Sequence, residues 1–317
     1  MSLKADLLKQ FSLHPGEYLN GEQLAKQFSV SRAAVWKAVK ALKKDGFEIL
    51  SSSVLGYCAS VRNDFLSAEV IQAVAPEITA PVHIFEEIDS TNNYARVLAA
   101  QNAVSGTLVL ANSQTAGRGR QGHSFYSPRR SGLYFSMILR PENMKHIFRL
   151  TPAAAVSAAD AIEELTGIRA GIKWVNDLFI EKKKIGGILT EAITDFETGK
   201  IESVIIGIGI NIRETDFPDE IRNIAGTLNA GAVSRSALAA ILRRNLMTNA
   251  RHLDEDDIMN RYRDLSIVLN REITYSINNE LQTGFVQDIN SEGSLVLRDE
   301  NGNTVILQSG EISIKNW

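Results

Sequence analysis

A loop that combines glycine and arginine is the first feature of this sequence that could perform chemistry. Residues 114–122 read Gln-Thr-Ala-Gly-Arg-Gly-Arg-Gln-Gly and follow a predicted strand. Glycine lets the backbone approach a ligand closely, and the guanidinium groups of Arg118 and Arg120 can bind phosphate or carboxylate through paired hydrogen bonds. The loop is therefore a candidate anion site, although the residues alone equally allow a solvated basic loop.

The same loop formally matches the G-x-G-x-x-G pattern of dinucleotide-binding folds through Gly117, Gly119 and Gly122. That pattern requires a helix directly after the glycines, because the helix N-terminus binds the pyrophosphate. Residues 123–128 end in a proline and show no helical periodicity. We therefore do not expect a dinucleotide-binding fold.

A second candidate lies in residues 173–189, where Lys-Trp-Val-Asn-Asp-Leu precedes Lys-Lys-Lys-Ile-Gly-Gly-Ile-Leu. The pattern predicts a β-hairpin, and a lysine run in such a turn is usually a solvated surface. Lys184, however, is followed by Gly186 and Gly187, which give little steric cover. Its ammonium group can therefore reach a ligand that lies over the sheet.

Two polar segments could complete such a site. Residues 89–93 read Asp-Ser-Thr-Asn-Asn, and residues 207–211 read Gly-Ile-Gly-Ile-Asn. The first can offer hydroxyl and amide groups to a small ligand. Ser90 and Thr91 are also ordinary helix caps, so this segment by itself does not decide between the two roles.

The elements before this region predict a winged helix-turn-helix. Asn20 and Ser31 are suitable N-caps for two helices, and two short strands at 47–50 and 54–57 are predicted around a polar tip. Residues 1–62 hold nine Lys or Arg against five Asp or Glu, a net charge of +4 in a chain whose total is -3. This imbalance indicates a small anion-binding module attached to a mildly acidic body.

The remaining chain predicts two further domains. Residues 63–269 alternate strand-like runs with alanine-rich helical stretches, notably 151–165, which is typical of a mixed α/β domain. Residues 270–317 read as short strands joined by tight turns, which favours a small β-barrel. The single Cys58 has no partner for a disulfide or a zinc-type cluster, so no structural metal is expected. The lack of a secretory profile and of a long apolar run predicts a cytoplasmic protein without a membrane segment.

Taken in order, these motifs closely resemble the biotin protein ligases, specifically the type that doubles as a biotin operon repressor. The resemblance covers essentially the whole chain. It implies an α+β multidomain fold: a winged helix-turn-helix, a central mixed α/β catalytic domain of the biotin/lipoate ligase (class II synthetase-like) type, and a C-terminal SH3-like β-barrel. It also implies that ATP with Mg²⁺ and biotin are substrates, and that a biotin carboxyl carrier protein is the acceptor.

The resemblance assigns roles residue by residue. It implies biotin contacts for Ser90, Thr91, Asn92, Gln114, Gly117, Arg118, Gly119, Arg120 and Lys184, among which Arg118, Arg120 and Lys184 are the expected catalytic charges. It implies nucleotide contacts for Phe125, Asn176, Asp177, Gly209 and Asn211, with Asp177 near the Mg-ATP complex. Family members often carry Trp, Pro and Arg where this chain has Phe125, Val175 and His123.

For the amino-terminal domain, we expect operator DNA to meet the helix that begins after Ser31. The expected DNA contacts are Ser31, Arg32, Trp36, Lys37 and Lys40, on a helix whose five positive charges are not interrupted by an acid. A homodimer is expected when biotinyl-5'-AMP is bound. The alternative for this domain is a module that contacts only protein.

Two other functions remain open from the sequence. One is a transcription factor whose middle domain senses a ligand without catalysis, and the other is a lipoate or octanoate ligase that shares the catalytic fold. The Gly-Arg loop and Lys184 favour an enzyme, because a pure sensor has no need for charge directed at phosphate. The winged helix and the Gly-Arg-Gly-Arg loop argue against a lipoate ligase.

Overall fold

The amino-terminal helices form around the caps that the sequence predicts. The computed structural model describes residues 2–60, 66–141, 145–195, 197–230, 233–277 and 280–315. Helix α1 spans Leu3–Leu13, α2 spans Gly21–Gln27 and α3 spans Arg32–Lys44. The side chain of Asn20 accepts hydrogen bonds from the first turn of α2, and Ser31 does the same for α3. The predicted helix-turn-helix is therefore confirmed.

The wing differs from its prediction at the tip. Strands β1 (Tyr18–Leu19), β2 (Ile49–Ser52) and β3 (Gly56–Ala59) form a sheet in the order β1-β3-β2. Val54 and Leu55, predicted as part of a strand, instead lie in the turn and are 80% and 54% exposed. The strand prediction was wrong for these two residues, because the second strand begins only at Gly56, whose φ of +102° closes the turn.

The central domain is a seven-stranded sheet covered by helices on both faces. After α4 (Ala68–Val74), its strands are β4 (Val82–Phe85), β5 (Leu108–Ala111), β6 (Gly132–Leu139), β7 (Gly171–Lys173), β8 (Asp177–Ile180), β9 (Lys183–Thr194) and β10 (Ile201–Asn211). Their order is β4-β5-β6-β10-β9-β8-β7, in which β4 and β5 are parallel and the other pairs are antiparallel. The mixed α/β prediction is confirmed.

Two separate clusters of apolar side chains attach the helices to this sheet. Helix α5 (Thr91–Ala100) packs on one face against Val109, Ile138 and Ile205. The opposite face contributes to the main core, together with α6 (Leu150–Thr166), α8 (Arg235–Asn249) and α9 (Asp257–Leu265). The short α7 spans Asp219–Arg222. Since side chains alternate along a strand, neighbours such as Leu108 and Val109 of β5 belong to opposite clusters.

The carboxyl-terminal region is an antiparallel sheet with its own buried residues. Its strands are β11 (Glu272–Ile277), β12 (Glu280–Ile289), β13 (Leu295–Asp299), β14 (Thr304–Leu307) and β15 (Ile312–Ile314), in the order β14-β13-β12-β11-β15. The predicted turns at 291–293 and 301–302 are present. Ile273, Val286 and Leu297 are fully buried within it. The prediction of a small β-domain is confirmed.

Hydrogen bonds join the central domain to the carboxyl-terminal domain, and helix packing joins it to the amino-terminal domain. The indole of Trp174 donates to the carbonyl of Gly293 at 2.8 Å, and Arg149 donates to the carbonyl of Ser291 at 2.7 Å, which ties the sheet domain to the carboxyl-terminal domain. The amide of Ser67 donates to Ser236 Oγ at the start of α8, and α1 packs against α4.

The domain limits at 62/63 and 269/270 remain predictions, and the first lies outside the described residues. None of the helices in the described ranges is long and apolar enough to cross a membrane.

Candidate active site

A cavity of roughly 550 Å³ lies on the α5 face of the central sheet and is closed on one side by the carboxyl-terminal domain. Most of the residues that the sequence nominates line its wall. They are Ser90, Thr91, Asn92, Gln114, Arg118, Gly119, Arg120, Phe125, Asn176, Asp177, Lys184 and Gly209. Segments separated by more than a hundred positions in the chain are thereby brought to one site.

One end of the cavity is polar and built from hydroxyl and amide groups. The backbone N–H and the hydroxyl of Thr91 both approach Gln114 Oε1, at 2.8 and 3.1 Å. Gln114 Nε2 in turn donates to Ser127 Oγ at 2.8 Å, and Ser136 Oγ lies 2.7 Å from Thr91 Oγ1. Because Ser90, Thr91 and Asn92 are buried, ligand groups that replace water here must match this hydrogen-bond pattern.

The other end carries positive charge. Lys184 Nζ forms an ion pair with Asp177 Oδ1 at 2.7 Å, and Arg120 donates to Asn176 Oδ1 at 3.1 Å. Asn176 is itself fixed, because its Nδ2 donates to the carbonyl of Ile188 on β9 at 2.8 Å. These contacts hold the cationic groups toward a shared space that suits the phosphates of a nucleotide.

Two glycines of β10 make room for the side chains above them. Gly207 and Gly209 come after Ile205 on β10 and lie on the same face of the sheet, which faces α5. Ile205 belongs to the apolar cluster under α5, and the two glycines lie beyond that cluster. A Cβ atom on Gly207 would overlap the side-chain amide of Asn92, and one on Gly209 would lie 2.5 Å from the ring of Phe125. The glycine spacing therefore lets Asn92 and Phe125 lie flat against the sheet.

Phe125 is oriented by its neighbours. Tyr134 packs edge-on against its ring with 6.4 Å between centroids, and the hydroxyl of Tyr134 donates to the carbonyl of Pro128 at 2.8 Å. Burial raises the pKa of Tyr134 to about 12, so its phenol stays neutral. Phe125 also lines a second cavity of roughly 460 Å³, which is bounded by Pro218 and Ile221.

Two of the nominated residues are not on the wall of the main cavity. Gly117 lies behind it, where a Cβ atom would collide with the carbonyl of Phe125, and it borders the second cavity instead. The side chain of Asn211 donates to the carbonyl of Gly226 at 3.1 Å and so braces the adjacent loop. The structure places both residues off the wall of the main cavity, and their ligand contacts remain predictions.

Several residues that line the cavity were not nominated from the sequence. Lys173 lines the charged end, and burial lowers the pKa of its ammonium group, an effect that the nearby carboxylate of Asp177 partly offsets. Tyr275 and Glu311 enter from the carboxyl-terminal domain, and Glu311 Oε1 lies 3.1 Å from His123 Nε2 on the Gly-Arg loop. Lys173 begins the Lys-Trp motif and could have been nominated; the other two had no such signal.

The expected DNA contacts share one exposed surface on α3. Ser31, Arg32, Trp36, Lys37 and Lys40 all point to solvent, whereas Val35, Val39 and Leu42 of the same helix are buried. Lys40 Nζ lies 5.1 Å from the centroid of the Trp36 ring. Lys43 donates to Ser51 Oγ on the wing at 2.9 Å, which joins the helix and the wing.

The fold and the cavity together define a class: a small-ligand enzyme of mixed α/β architecture joined to a DNA-binding module. Family models support each part. Residues 84–211 match the Biotin/lipoate A/B protein ligase family, residues 4–58 match an HTH domain, and residues 268–315 match the Biotin protein ligase C terminal domain.

Similar proteins agree with these matches. The chain is 38% identical over 251 residues to the Bifunctional ligase/repressor BirA of Bacillus subtilis (strain 168), covering 78% of this chain and 77% of that one. It is 29% identical over 315 residues to the protein of the same name from Escherichia coli (strain K12), covering 95% and 94%. The solved biotin protein ligase from Aquifex aeolicus in complex with biotin and ATP superposes with a TM-score of 0.64 at 28% identity, covering 74% of this chain and 98% of that one. The chain belongs to the biotin protein ligase family, among its bifunctional ligase/repressors.

Proposed function

We propose that this chain forms biotinyl-5'-AMP from biotin and ATP and transfers the biotin to a lysine of a biotin carboxyl carrier protein. The observation that carries the proposal is a single cavity with a neutral polar end at Thr91 and Gln114 and a cationic end at Lys184. Biotin has a neutral ureido ring at one end and a carboxylate at the other. The cavity therefore matches biotin in both polarity and direction.

The charged end suits the adenylation step. The biotin carboxylate attacks the α-phosphate of ATP, pyrophosphate leaves, and the two reacting groups are both anionic. Catalysis then depends on positioning and positive charge and needs no protein nucleophile. Arg118, Arg120 and Lys184 supply that charge from the wall of the cavity. Phe125 offers a ring face on which adenine can stack.

ATP enters such a reaction as its Mg²⁺ complex, and Asp177 is the carboxylate that fits this cation. Asp177 lines the charged end and already pairs with Lys184 at 2.7 Å. A hard divalent cation prefers carboxylate and phosphate oxygens, so Asp177 and the nucleotide can hold it together. We propose no structural metal and a cytoplasmic location, where ATP and operator DNA are both present.

Pyrophosphate release is the direct test of the catalytic proposal. We expect release that requires biotin and ATP together, and we expect lipoate to compete poorly with biotin. Biotin binding without pyrophosphate release would instead favour a non-catalytic sensor. Preference for lipoate would favour the related lipoate ligases.

The same chain represses transcription of biotin genes in this proposal, with biotinyl-5'-AMP as the corepressor. Its winged helix-turn-helix presents the exposed basic surface of α3 that a major groove requires. Replacing Lys37 by Ala should weaken operator binding and reduce the slope of log affinity against log salt by about one. The measurement is a salt titration by fluorescence anisotropy.

Arg298→Ala is the matched control for Lys37→Ala, because it removes one positive charge from an exposed position on β13, away from α3. It should leave the salt slope unchanged. Operator binding that responds neither to salt nor to Lys37→Ala would mean that the domain contacts protein rather than DNA.

We further propose that biotinyl-5'-AMP promotes homodimerisation. One α3 helix binds DNA weakly, so tight binding needs two helices spaced to match a two-fold operator. The loop at 117–124 has three glycines, and closing its arginines on the adenylate can order the surface nearby. We expect operator affinity to rise about 5- to 150-fold with biotin plus ATP, together with a doubling of mass in sedimentation. Equal affinity and a monomer in both conditions would end this proposal and leave the ligase intact.

A further inference from the structure

The polar end of the cavity is connected to a carboxylate that does not line it. Glu191 lies on β9, and its side chain is 17% exposed. Its Oε2 accepts a hydrogen bond from Asn92 Nδ2 at 2.8 Å, and its Oε1 accepts one from Arg96 at 2.7 Å. Arg118 of the Gly-Arg loop approaches the same Oε1 to 3.7 Å. One carboxylate thus contacts both the polar end of the cavity and the Gly-Arg loop.

We propose that Glu191 is a positioning residue that fixes which groups of the polar pocket donate hydrogen bonds and which accept them. This inference rests on the proposed function, because it concerns how that pocket distinguishes ligands.

The argument begins with the chemistry of the carboxylate. An ionised carboxylate can only accept hydrogen bonds, so Asn92 must turn its NH₂ group toward Glu191. Asn92 Oδ1 then faces Ser136 Oγ at 2.5 Å, where a hydroxyl must donate to it. The orientation of this amide is therefore set from outside the cavity.

The pattern continues beyond Asn92. Ser136 Oγ also contacts Thr91 Oγ1 at 2.7 Å, and Thr91 reaches Gln114 Oε1. A hydroxyl has one proton, so the direction chosen at Asn92 restricts the direction at each following contact. Asn92 and Ser136 are 4% and 0% exposed, and water cannot easily substitute for a reversed hydrogen bond at such depth.

The surroundings of Asn92 allow little adjustment. Its amide lies directly over Gly207, where even a Cβ atom would overlap it. Glutamine at position 191 would keep the shape but would face a conflict. In one orientation its NH₂ group faces the NH₂ group of Asn92, which places two donors together. In the other, its oxygen accepts from Asn92, but its NH₂ group faces the guanidinium of Arg96, which is also a donor. In both cases the donor pattern of the pocket is no longer fixed.

The test compares biotin with 2-iminobiotin, in which the ureido oxygen is replaced by nitrogen. Binding of each ligand is measured by calorimetry without ATP. We expect E191Q to weaken biotin binding by roughly tenfold or more and to reduce the ratio of biotin to iminobiotin affinity by a similar factor. If Glu191 had a purely structural role, E191Q would weaken the binding of both ligands alike and leave the affinity ratio unchanged. That result would overturn the proposal. Wild-type affinity of E191Q for biotin would also overturn it.

Glu86→Gln is the matched control. Glu86 accepts from Asn112 Nδ2 at 2.9 Å and from Arg129 at 2.9 Å, the same pair of partner types, but it does not line the cavity. E86Q should retain both the affinity and the ratio.

Two further measurements separate a failure of the proposed function from a failure of the Glu191 proposal. If wild-type protein fails to bind biotin, the proposed function itself is refuted, independently of Glu191. If E191Q does not fold, S136A probes the same network from its other end, since Ser136 contacts Asn92 and does not line the cavity. An unchanged affinity ratio in S136A would then overturn the proposal.

Discussion

Replacing Lys184 by Ala should reduce biotin-dependent pyrophosphate formation by about 10²- to 10³-fold. Lys184 directs its ammonium group into the charged end of the cavity, where two anions must meet during adenylation. Loss of one charged contact to a transition state of this kind costs roughly 2.7 to 4 kcal/mol. The substitution also leaves Asp177 without its ion-pair partner at 2.7 Å, which adds repulsion toward the nucleotide. The measurement is a steady-state pyrophosphate assay with saturating biotin and ATP.

Lys182→Ala is the control for this prediction. Lys182 is exposed in the turn between β8 and β9, so its loss removes the same charge from the same segment without altering the cavity. Its rate should stay close to that of the unchanged protein. Near-normal pyrophosphate formation by Lys184→Ala would defeat the assignment of Lys184 as a catalytic charge. Arg118→Ala should also lower the rate of pyrophosphate formation, because Arg118 lines the same cavity. Its side chain is 45% exposed and lies at the edge of the site.

Gly207→Ala and Gly209→Ala should weaken the binding of different substrates. The new methyl group at Gly207 would overlap the amide of Asn92, so we expect biotin affinity to fall by roughly 10²-fold while ATP binding changes less. At Gly209 the methyl group would displace the ring of Phe125, so the KM for ATP should rise while biotin affinity is largely kept.

These two variants serve as each other's control, because they lie two residues apart on the same face of β10. Both add one methyl group to the same strand, and a general loss of stability would appear in both melting temperatures. Calorimetric titration with biotin and kinetics against ATP separate the two effects. If each variant weakened the binding of biotin and of ATP to the same extent, the division of the cavity into a biotin half and a nucleotide half would be contradicted.

The sequence by itself determined the local structure and most of the site. Caps such as Asn20 and Ser31 act on the next three residues, so their effect can be read directly from neighbouring positions. The Gly-Arg loop, the Lys-Trp segment and the glycines of 207–211 are continuous motifs whose residue types already indicate anion binding and close packing. The resemblance to the biotin protein ligases nominated fourteen residues for biotin or nucleotide contact, and twelve of them lie together on the cavity wall.

Only the tertiary structure decided which distant residues support that wall. Ser136 is a single small polar residue in the apolar strand β6, and Glu191 is one of several polar residues in β9. The importance of each depends on which face of its strand turns toward α5. Strand register and helix packing determine that face through contacts between residues far apart in the chain, and no local pattern records them. The same reason explains the position of Asn211, which lies off the cavity wall and whose side chain donates to the carbonyl of Gly226. It also explains Glu311, which reaches the Gly-Arg loop only because the carboxyl-terminal domain packs beside the sheet.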